Sequence, residues 1–262
     1  MSGERVAVVT GAARGMGAAT VAGLVADGWR VVAVDLGGDD PHVPYPLGQS
    51  HELDAVVAAA GDRAVAVEAD VRDPAALAGA VAEAERRWGG LDAAVAAAGV
   101  IAGGLPAWEL PPEQERAVID IDLGGVLNLA RVAVPALLRR PEPRRGRFVA
   151  VASAAATKGL PMLAAYCAAK AGVAGLVRAM ALELAGTGIT VNAVSPGSTD
   201  TPILGESARL YGLAAAEGFS AQQPIGRLLR PEEVAAFICY LVGDHGAVFT
   251  GAVVPVDGGL AL

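Results

Sequence analysis

Short apolar runs alternate along the chain with longer, Ala-rich segments of helical periodicity. The runs are Arg5–Thr10, Trp29–Val34, Ala64–Glu68, Leu91–Ala97, Arg147–Ala152, Gly188–Ser195 and Val253–Val256. They are Val- and Ala-rich with few polar interruptions, as strands buried on both faces are. Helices are predicted at Ala18–Asp27, Glu52–Ala60, Pro74–Trp88, Pro112–Leu138, Tyr166 to about Glu183, around Leu204–Glu217 and at Pro231–Leu241. Proline opens three of them, where a missing N–H costs nothing. Such alternation calls for a seven-stranded parallel sheet with helices on both faces. No linker or repeat intervenes, so residues 1–262 read as one α/β domain. An insertion at about 197–230 reads as a mobile lid or substrate loop.

Composition narrows the function. The chain is 53% hydrophobic and carries a net charge of −8, which disfavours nucleic acid as a partner. Arg139, Arg140, Arg144, Arg145 and Arg147 cluster, but Pro141 and Pro143 split them into a solvated loop. Cys167 and Cys239 lie far apart, and no Cys/His spacing suits a metal. No apolar run reaches the ~18 residues of a membrane span without Gly or charge. A soluble, cytoplasmic protein with no metal and no membrane partner is expected.

Candidate chemistry starts where the first strand ends. Gly11-Ala12-Ala13-Arg14-Gly15-Met16-Gly17 links it to the first helix. Glycines permit the sharp turn and let a pyrophosphate approach the free amides of the helix N-terminus. This context implies a Rossmann fold. The second strand ends at Asp35, about 20 residues on, where an acidic side chain takes the adenosine ribose hydroxyls. A carboxylate there repels a 2′-phosphate, so NAD is favoured over NADP, although Arg14 could meet a phosphate. Asp70 and Val71, after the third strand, could flank the adenine. The Pro-rich stretch Gly37–Ser50 could fold over the cofactor.

Ser153 follows the fifth strand, and Tyr166 and Lys170 stand four apart on the next helix, one turn apart on one face. A free phenol titrates near pKa ~10. A neighbouring cation should lower that value and make Tyr166 an effective proton acceptor, with Ser153 holding the substrate oxygen.

With these motifs in order, the chain resembles the short-chain dehydrogenase/reductase family over essentially its whole length. Thr10 to Gly17 meets the family's glycine motif, Ser153, Tyr166 and Lys170 its catalytic residues, and Pro196-Gly197 its turn after the sixth strand. The resemblance implies cofactor binding at Gly11, Arg14, Gly15, Met16, Gly17, Asp35, Asp70, Val71, Ala97, Ala98, Gly99, Tyr166, Lys170, Pro196, Gly197, Thr199 and Thr201. Two departures stand out. The family's Asn-Asn-Ala-Gly reads Ala96-Ala97-Ala98-Gly99, so the sheet must be braced otherwise. The family's catalytic Asn falls on Asp122.

Finer features resemble the mycofactocin-coupled branch. They are the loop after Asp35, the segment Ala96–Gly104, Ser195–Thr199 and Leu210-Tyr211-Gly212-Leu213. That implies tightly held NAD with mycofactocin as electron acceptor. The pocket stretches 100–108, 154–164 and 197–220, mostly Ala, Gly, Leu and Pro, suggest a small apolar secondary alcohol or ketone as substrate. The long helices and Gly/Ala-rich C-terminus fit the family's homotetramer. Two other functions compete, a 3-oxoacyl-carrier-protein reductase and a non-catalytic nucleotide-sensing protein. Trp108 and Tyr211 are candidates for the substrate pocket.

Overall fold

Alternation of side chains along each strand decides which helix covers which face. In the computed structural model, which describes residues 4–262, β1 (Val6–Thr10) sends Val6 and Val8 into one core and Ala7 and Val9 into the other. β2 (Arg30–Asp35), β3 (Ala64–Glu68), β4 (Ala93–Ala96), β5 (Arg147–Val151), β6 (Thr190–Pro196) and β7 (Val253–Val256) complete a parallel sheet ordered β3-β2-β1-β4-β5-β6-β7. Every pairing is parallel, and the seven-stranded sheet inferred from the sequence is the one found.

α1 (Gly15–Ala26), α2 (Ser50–Ala60) and α8 (Pro231–Val242) cover one face through Val21, Leu24, Leu53, Val234 and Ile238. α3 (Pro74–Trp88), α4 (Pro112–Ile119), α5 (Gly125–Leu138) and α6 (Ala164–Glu183) cover the other through Leu77, Val118, Leu129 and Val177. Small residues set the spacing. A Cβ on Gly23 of α1 would stand 2.8 Å from the Cys239 sulfur of α8. The stretches Pro112–Leu138 and Ala164–Glu183 are long and apolar enough to cross a membrane, but here each lies against the sheet, about half buried.

From β1 the chain crosses first to β2 and later to β4 on the other side. A crevice therefore opens where the strands end, beside Thr10, as at the switch point of any such sheet.

Three expectations need correction. The helix expected over 112–138 is broken by one π turn, Asp120–Gly124, between α4 and α5. The extra residue of a π turn re-aims side chains, and it carries Asp122 into the interior. The sixth strand starts at Thr190 rather than Gly188, because Gly188 has φ +82° against the Arg144 carbonyl.

The insertion at about 197–230 is partly helical. α7 (Pro202–Leu210), shorter than the helix expected there, is capped by Thr201, and a 3₁₀ segment spans Ala216–Gln222. The Tyr211 hydroxyl donates to the Pro161 carbonyl at 2.7 Å, and buried Gln223 donates to Ser198 and Arg227 carbonyls.

Residues 37–49 form neither helix nor strand, as their prolines suggested, yet they are held at several points. Arg14 donates to the Pro46 carbonyl at 2.7 Å. Asp40 pairs with Arg72 at 2.7 Å, and the half-buried Tyr45 hydroxyl accepts the Ile101 N–H at 3.1 Å. The segment is a strap along one wall of the crevice.

Candidate active site

The crevice is shaped for a bound dinucleotide. A Cβ at Gly11 would lie 2.7 Å from the Ala98 backbone, and one at Gly17 would overlap the Gly11 carbonyl. Only glycine allows these approaches. Arg14, the residue before α1, makes no side-chain cap. The first amides of α1 therefore remain free to meet a pyrophosphate. Across the crevice, the Asp35 carboxylate accepts the Ala13 and Leu36 N–H groups, each at 2.8 Å. This fixes a negative charge at the end of β2. A narrow cavity of about 120 Å³ runs past these residues, with Leu47 and Gly48 of the strap on its wall. The glycine turn, the free amides of α1 and Asp35 fit the pyrophosphate and adenosine of a nicotinamide adenine dinucleotide.

Beyond Met16, Gly99 and Thr201 the groove widens into a cavity of about 530 Å³. Such a volume suits a small molecule. Ser153, Tyr166, Lys170 and Asp122 line it together. Lys170 Nζ donates to the Val151 carbonyl at 3.1 Å, lies 3.1 Å from Asp122 Oδ2, and sits 5.5 Å from the centre of the Tyr166 ring. Asp122 is 0% exposed and accepts the Val100 N–H at 2.8 Å. Its other oxygen, Oδ2, has no hydrogen bond, only the ion pair. Ser153 Oγ accepts the Ala155 N–H at 3.1 Å, which turns the hydroxyl at the end of β5.

Burial disfavours the Lys170 cation, but the Asp122 carboxylate and the Tyr166 phenol hold its pKa above the ordinary value. Burial also raises the Tyr166 phenol. Lys170 pulls it down, Asp122 counters Lys170, and hydrogen bonding with Ser153 favours the phenolate; burial prevails. The expected net lowering by Lys170 is thus corrected. Its charge is shared with a carboxylate that the family's Asn would not supply.

Residues 11–261 match the family model described as enoyl-(acyl carrier protein) reductase. Cis-4-hydroxycyclohexanecarboxylate dehydrogenase of Sinomonas cyclohexanicum is 41% identical over 258 residues, 98% of this chain and 96% of that one. The crystal structure of carveol dehydrogenase from Mycobacterium avium in complex with NAD superposes with a TM-score of 0.92 at 30% identity, covering 99% and 98%. The chain belongs to the short-chain dehydrogenase/reductase family. The 3-oxoacyl-[acyl-carrier-protein] reductase of Thermotoga maritima is 34% identical, covering 98% of each chain.

As a short-chain dehydrogenase/reductase the protein is an oxidoreductase, and each residue singled out in the sequence can be placed. Gly11, Arg14, Gly15, Met16, Gly17, Asp35, Asp70, Val71, Ala97, Ala98 and Gly99 line the narrow cavity. Pro196, Gly197, Thr199 and Thr201 join Tyr166 and Lys170 around the wide one. Several of these side chains are already engaged, among them Asp70 with Arg72 and Arg14 with Pro46. Tyr211 lines the wide cavity, whereas Trp108 is 85% exposed and does not.

The missing Asn-Asn brace is replaced in part. Thr10 Oγ1 accepts the Ala97 and Ala98 N–H groups at 3.3 and 3.4 Å, and Asp122 holds Val100. Sequence reasoning passed over Tyr45, whose signal was an aromatic between two prolines in a polar stretch. It also passed over Lys158, five residues after Ser153.

Proposed function

We propose that this short-chain dehydrogenase/reductase interconverts a secondary alcohol and its ketone with NAD, and that the substrate is small, largely apolar and of ring size. The observation that carries the reading is the Ser153, Tyr166, Lys170 and Asp122 cluster, set where a dinucleotide groove opens into an apolar cavity. Ile101, Leu160, Leu163, Ile203 and Leu204 supply that apolar wall. The relatives that act on a hydroxycyclohexanecarboxylate and on carveol support a cyclic alcohol.

Asp35, the glycine turn and Thr201 would hold the dinucleotide. Asp35 favours NAD, because a 2′-phosphate beside a fixed carboxylate is repelled. The dinucleotide, when bound, supplies the carbon that accepts hydride. The protein does the rest. Ser153 orients the substrate oxygen, Tyr166 takes the hydroxyl proton as the carbonyl forms, and Lys170 steadies the phenolate. Reduction runs through the same groups in reverse.

The strap beside the adenosine end supports a finer reading, in which NAD stays bound and is reoxidised in place by mycofactocin. Free Cys167 and Cys239 are compatible with a reducing cytoplasm. The Thermotoga relative favours 3-oxoacyl-carrier-protein reduction as a second reading, but the acidic net charge suits an acidic carrier poorly. A purely nucleotide-sensing role leaves the assembled proton-transfer cluster without a use.

The test is mass spectrometry of the gently denatured protein, together with a cyclic-alcohol turnover assay containing an artificial electron acceptor. Co-purified NAD near one per chain and acceptor-dependent oxidation are expected. NADP in its place would sink the cofactor assignment, and oxidation by free NAD alone would sink the retention.

A further inference from the structure

We propose that Lys158 forms an anion subsite in the substrate cavity, and that the natural substrate carries a carboxylate remote from its alcohol carbon. This rests on the dehydrogenase reading and adds the class of substrate, a cyclic hydroxy acid or its oxo acid.

The wide cavity has two cationic side chains and one carboxylate on its wall. Lys170 and Asp122 satisfy each other at 3.1 Å. Lys158 is left over, and among the described residues it has no acidic partner within ion-pair distance. An ammonium on an apolar wall with no counter-ion selects an anion.

Its position is built. Lys158 N–H donates to the Ala154 carbonyl at 2.9 Å, so the residue is clamped to the turn that begins at Ser153. Lys158 Nζ donates to the Leu260 carbonyl at 3.0 Å. Leu260 lies in the C-terminal segment, where the Asp257 side chain accepts the Gly259 and Ala261 N–H groups, each at 2.9 Å. One of the three ammonium protons is used this way, leaving two for a ligand. Lys158 is itself exposed, so the charge stands at the rim while Ser153 and Tyr166 stand further in. Leu160, Leu163, Leu204 and Leu213 line the same cavity with hydrocarbon. A molecule with its hydroxyl on Tyr166, an apolar ring in the middle and a carboxylate at the mouth meets every group.

The test compares each acid with its methyl ester. In wild-type protein with NAD and an artificial acceptor, a hydroxycyclohexanecarboxylate should exceed its ester about 10- to 100-fold in kcat/KM, through KM. In Lys158→Met that ratio should fall to about one, and Lys158→Arg should restore part of it. If both substrates decline together and the ratio survives, Lys158 only ties down the C-terminal segment and the proposal is wrong. An ester preferred over its acid in wild type also overturns it.

Binding is read separately by titration calorimetry with the inert probes cyclohexanecarboxylate and cyclohexanecarboxamide. Tighter binding of the carboxylate, lost in Lys158→Met, supports the subsite even if no alcohol is oxidised, an outcome that would sink the dehydrogenase reading alone. Equal binding of the two probes refutes the subsite whatever the turnover.

Discussion

Replacing Asp122 with Asn tests the feature that sets this site apart. The change is nearly isosteric and keeps an oxygen for the Val100 N–H, but it deletes a buried negative charge. Lys170 Nζ lies 3.1 Å from Asp122 and 5.5 Å from the Tyr166 ring centre, so carboxylate and ring are no further apart than those two spans end to end. At that range two unit charges interact by about 2 kcal/mol for an effective dielectric of about 20. That equals roughly 1.4 pH units.

The sign follows from the chemistry. Oxidation needs the phenolate, so its rate rises with pH through the Tyr166 ionisation, which burial and Asp122 now hold high. Removing the carboxylate leaves the Lys170 cation acting on Tyr166 unopposed. The acid limb of log kcat/KM for alcohol oxidation should move down by about 1 pH unit. The loss of support for the Lys170 charge makes this less than the full figure. The profile is followed from neutral pH to well above the ordinary phenol pKa of ~10, on protein shown to be folded by its melting curve. A limb that stays in place, or moves to higher pH, refutes the claim that Asp122 tunes the phenol.

Tyr166→Phe should lower turnover by about 10²- to 10⁴-fold, the range expected for a lost general base, while the dinucleotide still co-purifies. Turnover close to wild type would remove Tyr166 from the reaction. Asp35→Ser should shift cofactor preference toward NADP by at least about tenfold, since like charges brought together cost several kcal/mol; kcat/KM with each dinucleotide after cofactor exchange checks this. Tyr45→Phe strands the Ile101 N–H and should cost about 1–3 kcal/mol of stability. Denaturant melts read that cost. If the strap retains NAD, the same variant should also lose cofactor on gel filtration.

The fold and most of the reaction site are local in character, and so legible in the chain itself. Strands buried on both faces must be short, continuous and apolar, which is why all seven stood out. A phosphate-binding turn needs glycines at set spacings, and Tyr166 and Lys170 share a helix face because they are four apart. What the sequence could not determine are the encounters between distant segments. Asp122 reaches Lys170 from a π turn inside a helix that looked continuous. The Tyr166 phenol is raised rather than lowered because burial, a property of the packed molecule, outweighs the neighbouring cation. Lys158 gains meaning only from the cavity that α7 and the C-terminal segment close around it. Spacing along the chain specifies turns and faces, whereas charge compensation and desolvation depend on what the completed fold brings near, and those decided how this site is tuned.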